Sequence, residues 1–142
     1  MKSIALALAL LAATPALADE IWSTQYGQII YETDRDGYIG VLSIPAQVMN
    51  LDAPADARLT VHVLGLAGNV TDRYGMFEGY WTGGTAANCE PAIIGDNGKR
   101  TSDWGRIELY FDKPDFPSGF TMILGACFFD PYLAVRAEPW ME

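Results

Sequence analysis

The stretch GRIELYFD, residues 105–112, decides the fold class of this chain. Apolar side chains at positions 107, 109 and 111 alternate with polar ones at positions 106, 108 and 110. Successive side chains of a β-strand point to opposite faces of the sheet, so this pattern predicts a strand with one buried and one solvated face. One solvated face is typical of antiparallel sheets.

Short β-rich runs separated by turn residues extend outward from this strand in both directions. We predict strands at residues 28–33, 38–44, 58–66, 76–82, 90–94, 120–129 and 133–137. Residues 120–129 are almost all apolar, as expected for a strand covered on both faces. The last run is predicted as an edge strand that Pro139 ends. Asp36-Gly37 is a strong hairpin signal between the first two of these runs.

Parallel strands would need crossover connections, usually helices, and no window carries a helical apolar stripe longer than two turns. We therefore expect an all-β fold, a single antiparallel β-sandwich or small β-barrel of seven to eight strands. Half of the residues are apolar, which is enough for a sizeable core.

The first eighteen residues have the pattern of a cleaved secretory signal peptide. Lys2 precedes an apolar run at residues 4–13, and Ala16-Leu-Ala18 forms a small-x-small cleavage site before Asp19. The apolar run is shorter than the roughly twenty residues that a membrane span needs. We expect a signal peptide at residues 1–18, a single β-domain at residues 19–142, and a periplasmic or extracellular location.

The charge of the chain restricts its partners. The full sequence carries a net charge of −9, and removal of residues 1–18 takes away one lysine and no acid, which gives −10. Such a surface repels nucleic acids and anionic lipids. The expected partner is a small molecule, a glycan or a protein, with no nucleic acid, no membrane span and no cofactor.

The two cysteines, Cys89 and Cys127, both follow the signal peptide. In an oxidising compartment such a pair is expected to form a disulfide, and only one intramolecular pairing exists.

Catalytic and metal signals in the sequence are weak. His62 is the only histidine and no Gly-x-Ser-x-Gly elbow accompanies it. The Glu32-x-Asp-x-Asp-Gly37 stretch resembles the first half of an EF-hand calcium loop, but Ser43 stands where a bidentate Glu is needed. We therefore predict no catalytic and no metal-binding residues.

Binding candidates come from aromatic side chains and from one long loop. Tyr80 and Tyr110 are predicted on solvated strand faces, where Tyr offers large rigid contact area to flat ligands. Residues 65–75 form a turn-rich loop, and long loops on rigid scaffolds often carry function. Asn69, Asp72 and Arg73 supply its hydrogen-bonding groups.

Together these features favour an exported, non-catalytic binding domain for a small molecule, a glycan or a protein. One alternative is an inhibitor-type interaction protein whose acidic surface docks a basic partner. A second alternative is a hydrolase built from carboxylates alone.

Overall fold

The computed structural model describes residues 20–84, 87–95 and 98–141. Within these ranges the chain forms ten strands and one short 3-10 helix at Ala46–Val48. The strands are β1 (Ile21–Thr24), β2 (Gly27–Arg35), β3 (Ile39–Pro45), β4 (Arg58–Leu64), β5 (Met76–Thr82), β6 (Ile93–Ile94), β7 (Arg100–Thr101), β8 (Trp104–Phe111), β9 (Phe120–Leu124) and β10 (Leu133–Pro139). The predicted signal peptide lies outside the described residues.

Eight of these strands close into an antiparallel barrel in the order β1-β2-β3-β4-β5-β8-β9-β10. The barrel closes between β1 and β10, where Trp22 pairs with Pro139 and Ser23 with Glu138. The short strands β6 and β7 form a separate ribbon in the connection between β5 and β8. The expected all-β antiparallel fold is confirmed, and of the two architectures predicted the chain adopts the barrel. In the part of the chain that the structure describes, no helix is long and apolar enough to cross a membrane.

Several observed strands differ from the predicted ones. Strand β10 is not an edge strand, because it pairs with both β9 and β1. The run predicted at residues 90–94 is reduced to Ile93–Ile94 and lies outside the barrel. Strand β1 was not predicted, because four residues are too few for an alternating pattern to stand out.

The apolar run at residues 120–129 is not one doubly covered strand. Strand β9 ends at Leu124 with alternating burial, and Phe128 and Phe129 are 62% and 72% exposed. The chain leaves the barrel ladder at this point, and Cys127 adopts a left-handed backbone conformation with φ of 55°. This departure carries Cys127 to its bonding partner, Cys89.

Side chains fill the interior of the barrel. Trp22 and Trp81 are fully buried, and their indole N–H groups donate to the carbonyl oxygens of Ser118 at 2.8 Å and Gly125 at 2.7 Å. Trp81 fits because its neighbour across the ladder is Gly105, where an added Cβ would lie 2.3 Å from the indole nitrogen. An eight-stranded barrel is just wide enough for such a filling. The described side chains therefore leave no room for a ligand at the centre of the barrel.

The two ends of the barrel are built differently. One end carries the β1–β2, β3–β4, β5–β8 and β9–β10 connections, and the disulfide joins the last two of these. The opposite end carries the β2–β3 turn, the β4–β5 loop at residues 65–75 and the β8–β9 loop at residues 112–119. We call this opposite end the mouth.

The predicted disulfide between Cys89 and Cys127 is confirmed, with the two Cα atoms 5.3 Å apart. It links the longest connection of the barrel to the β9–β10 hairpin across 38 positions of the chain.

We predict that the double variant Cys89→Ala, Cys127→Ala unfolds with a free energy about 2–5 kcal/mol lower than the oxidised protein. Loss of the bridge removes a constraint on the unfolded chain. Urea denaturation measures the difference, and reductant should weaken the wild-type protein to the same extent without affecting the variant. Equal stability of the variant and the oxidised protein would contradict a structural role.

Candidate functional site

The mouth contains a cavity of about 630 Å³. Strand β2, the β4–β5 loop, the β8–β9 loop and the residue before β1 all contribute to its walls. The lining residues are Glu20, Tyr31, Glu32, Thr33, Asp34, Gly68, Asn69, Val70, Thr71, Arg73 and Phe116. Its volume lies within the range of roughly 300–1,000 Å³ that is typical of small-molecule sites.

A β-bulge in β2 directs two polar side chains into this cavity. Tyr31 pairs with Leu42 and Thr33 with Val41, so Glu32 is an extra residue in the ladder between β2 and β3. In a regular strand, residues three positions apart point to opposite faces. Because of the extra residue, Asp34 shares the inward face of Tyr31. Bulges commonly re-aim side chains in this way beside functional sites.

Gly40 on β3 provides the space for the Tyr31 hydroxyl. Gly40 lies opposite Asp34 in the ladder, and an added Cβ there would be 2.7 Å from the Tyr31 oxygen. The same Cβ would be 3.0 Å from the Cβ of Leu66. Any larger residue at this position must displace the hydroxyl or the leucine.

Tyr31 and Asp34 hold each other in a fixed arrangement. The Tyr31 hydroxyl donates to Oδ1 of Asp34, and the backbone N–H of Gly68 donates to Oδ2 at 3.0 Å. Partial burial, followed by the hydrogen bond and the negative charge of Asp34, raises the pKa of Tyr31 well above its ordinary value. The phenol therefore stays protonated, and remains a donor, at alkaline pH values at which an ordinary tyrosine ionises.

Arg73 forms the floor of the cavity, and its side chain is 1% exposed. Its two terminal nitrogens bind both carboxylate oxygens of Glu20 at 2.7 and 2.6 Å, and Nε donates to the carbonyl of Asn69 at 2.6 Å. The guanidinium also lies 4.8 Å from the ring centre of Phe111. A planar fork of donors is suited to such a bidentate, partly buried pair.

The two mouth loops are joined into one wall by backbone hydrogen bonds. The N–H of Phe116 donates to Val70 at 3.0 Å, and the N–H of Arg73 donates to Pro114 at 3.1 Å. Val70 and Phe116 remain 38% and 37% exposed. They add an apolar surface to a cavity that the polar residues of β2 also line.

The structure places two of the five predicted binding residues in the cavity, Asn69 and Arg73. Asp72 does not line it. Instead, Asp72 and Asn69 exchange two hydrogen bonds of 2.9 Å that shape the turn of the loop.

Tyr80 and Tyr110 lie on the outer face of the barrel and form no common patch. Tyr80 stacks on His62 with ring centres 4.4 Å apart, and its hydroxyl accepts a hydrogen bond from Arg35 at 3.1 Å. The Tyr110 hydroxyl donates to Glu108 at 3.0 Å. Tyr80 lies opposite Arg106 in the ladder, so about 13 Å of strand separates the two tyrosines.

Sequence reasoning missed most of the lining, including Glu20, Tyr31 and Phe116. Asp34 was noted only as part of a calcium-like stretch. Here its carboxylate faces Tyr31 and Gly68, and the described ranges contain no group of three metal-ligating side chains. One sequence feature could have indicated this lining: β2 ends in the polar residues Glu32-Thr-Asp34 after the apolar Ile29-Ile-Tyr31, which marks where the strand leaves the core.

Comparison of the chain with protein-family models, with curated proteins and with solved structures finds no match. The function of the chain is therefore inferred from the geometry of the mouth.

We predict that Arg73→Met lowers the free energy of unfolding by about 3–5 kcal/mol, because it leaves the carboxylate of Glu20 without its counter-ion in a largely buried place. Arg136→Met is the matched control, since Arg136 pairs with Asp112 at the surface and such pairs contribute about 0–1 kcal/mol. Adding Glu20→Gln to Arg73→Met should restore part of the loss. Equal costs for the two single variants would contradict the anchoring role of Arg73.

We also predict that the Tyr31 hydroxyl ionises only at a higher pH than an ordinary tyrosine. Its pKa is raised in the folded protein, so its contribution to stability is complete below pH 10 and is lost as the pH rises further. At about pH 11 an ordinary tyrosine is mostly ionised, whereas Tyr31 should remain protonated. Folded wild-type protein and Tyr31→Phe should then show equal tyrosinate absorbance. A deficit of one tyrosinate in the variant would disprove the shift.

Proposed function

We propose that this chain is an exported, non-catalytic binding domain that holds a small molecule in the mouth cavity. The observation that carries the proposal is the cavity itself, about 630 Å³ of space at one end of a barrel whose interior is filled. A few fixed polar groups beside an apolar wall are the usual composition of a small-molecule site.

The rigidity of the site supports binding. The bulge, Gly40 and the hydrogen bond from Gly68 fix Asp34 and Tyr31 before any ligand arrives. A site that is already ordered loses less conformational entropy on binding, which favours affinity.

Export is supported by the signal-peptide pattern at residues 1–18 and by the disulfide, because disulfides persist in oxidising compartments. Mature protein from the cells that make it should then begin at Asp19.

One observation favours the alternative function, a hydrolase built from carboxylates: Glu32 and Asp34 line the same cavity. Both oxygens of Asp34 already accept hydrogen bonds from the protein, an arrangement that suits a fixed acceptor better than a group that must exchange protons. Glu20 is held by Arg73. These contacts favour binding over turnover.

The test is a native mass spectrum of the protein purified from the envelope or medium of its own cells, with two variants as comparison. Val70→Trp places an indole in the cavity, whereas Leu51→Trp adds the same ring to an exposed position in the β3–β4 connection at the opposite end. We expect an added mass in wild type and Leu51→Trp that disappears on denaturation, and a bare chain for Val70→Trp.

A bare wild-type chain would contradict the proposal and favour a protein-binding role. An added mass that persists in Val70→Trp would place the ligand elsewhere on the molecule. Chemical change of the released ligand on prolonged incubation, abolished by Asp34→Asn or Glu32→Gln, would instead support the hydrolase.

A further inference from the structure

The mouth cavity has an uneven distribution of charge that bears on the class of its ligand. Three carboxylates and one guanidinium line it, so its walls carry a net charge of −2. The cavity, and not the carboxylates, identifies the site; the charge of the walls then selects among the molecules that fit.

The single cation of the lining is already engaged. Arg73 directs three of its five N–H donors to Glu20 and to the carbonyl of Asn69, and its side chain is 1% exposed. An anionic ligand would have to break this bidentate pair to reach the guanidinium. The floor of the cavity is therefore electrically balanced and does not attract anions.

The acceptors, in contrast, are presented to the cavity. Asp34 is exposed and holds one protein donor on each oxygen, which leaves further lone pairs because a carboxylate offers about four. Glu32, the extra residue of the bulge, is exposed and also lines the cavity, and its carboxylate interacts electrostatically with Arg58 on β4. Carboxylates in the lining favour a cation with several N–H donors, and such charge-assisted bonds are roughly twice as strong as neutral ones.

The apolar part of the lining favours an apolar body in the ligand. Val70 and Phe116 present exposed hydrocarbon to the cavity, and the backbone bond between them holds both in place. We propose that the mouth binds an organic ammonium compound, with the ammonium at Asp34 and Glu32 and an aromatic or aliphatic body against Val70 and Phe116. This inference rests on the proposed function, because it names the class of ligand for the same cavity.

Three probes with one indole ring test the inference: tryptamine, tryptophol and indole-3-acetate, which carry an ammonium, a hydroxyl and a carboxylate. Calorimetric titration at neutral pH and low salt should show tryptamine binding about tenfold more tightly than tryptophol, the equivalent of one charge-assisted hydrogen bond. Indole-3-acetate should bind most weakly. Added salt should weaken tryptamine binding and leave tryptophol binding unchanged.

The double variant Glu32→Gln, Asp34→Asn keeps the shape of the acidic wall and removes its charge. It should lower the affinity for tryptamine about tenfold and the affinity for tryptophol by a smaller factor, because only tryptamine loses an ion pair as well as a hydrogen bond. Asp52→Asn, an exposed carboxylate in the β3–β4 connection at the opposite end, is the matched control and should change neither value. Unchanged thermal unfolding of both variants would show that the fold is retained.

Equal affinities for the three probes, tighter binding of indole-3-acetate, or no binding of tryptamine would each overturn the inference. None of these results removes the small-molecule function, which the native mass spectrum tests separately. An added mass from the cells together with failure of tryptamine would mean that the site exists and takes another class of ligand.

Discussion

The width of an eight-stranded barrel is the constraint on which the rest of this structure depends. Such a barrel is just wide enough for inward side chains to fill it, and here two tryptophans and Phe120 are among those side chains. Trp22 and Trp81 each also bond a carbonyl of a connecting segment. The same filling that stabilises the barrel excludes a ligand from its centre. The small-molecule site that we propose lies where the strands end, and the β2 bulge directs polar side chains into the cavity there.

The alternating strands could be predicted from the sequence with small errors at their ends. Strands β3, β4 and β8 bury every second side chain over most of their length, so their pattern can be recognised without knowledge of their neighbours. The run at residues 120–129 was misjudged because apolarity alone does not distinguish a buried strand from exposed aromatics. What ends β9 is a distant partner, since Cys127 must reach Cys89 on another connection.

The candidate site could be predicted only in part, because most of it depends on how β2 pairs with β3 and on contacts between distant parts of the chain. Asn69 and Arg73 were found because they belong to a long polar loop, a local feature. The pairing of Tyr31 with Asp34 depends on one extra residue in the ladder with β3, which no pattern within β2 reveals. Glu20 meets Arg73 across 53 positions of the chain, and that contact exists only after the barrel has closed.

The charged residues at the mouth fall into two groups: one pair that stabilises the fold, and two carboxylates that we propose to select the ligand. Arg73 and Glu20 form a largely buried pair, and disrupting it by removing one partner exposes the other to desolvation without compensation. Glu32 and Asp34 are exposed, and replacing a carboxylate there by its amide leaves the barrel interior untouched. The charge that we propose to select a ligand can thus change without loss of the fold, whereas the charge that holds the loops cannot. On this proposal, one or two substitutions on β2 would change the class of ligand while Arg73 and Glu20 stay paired beneath.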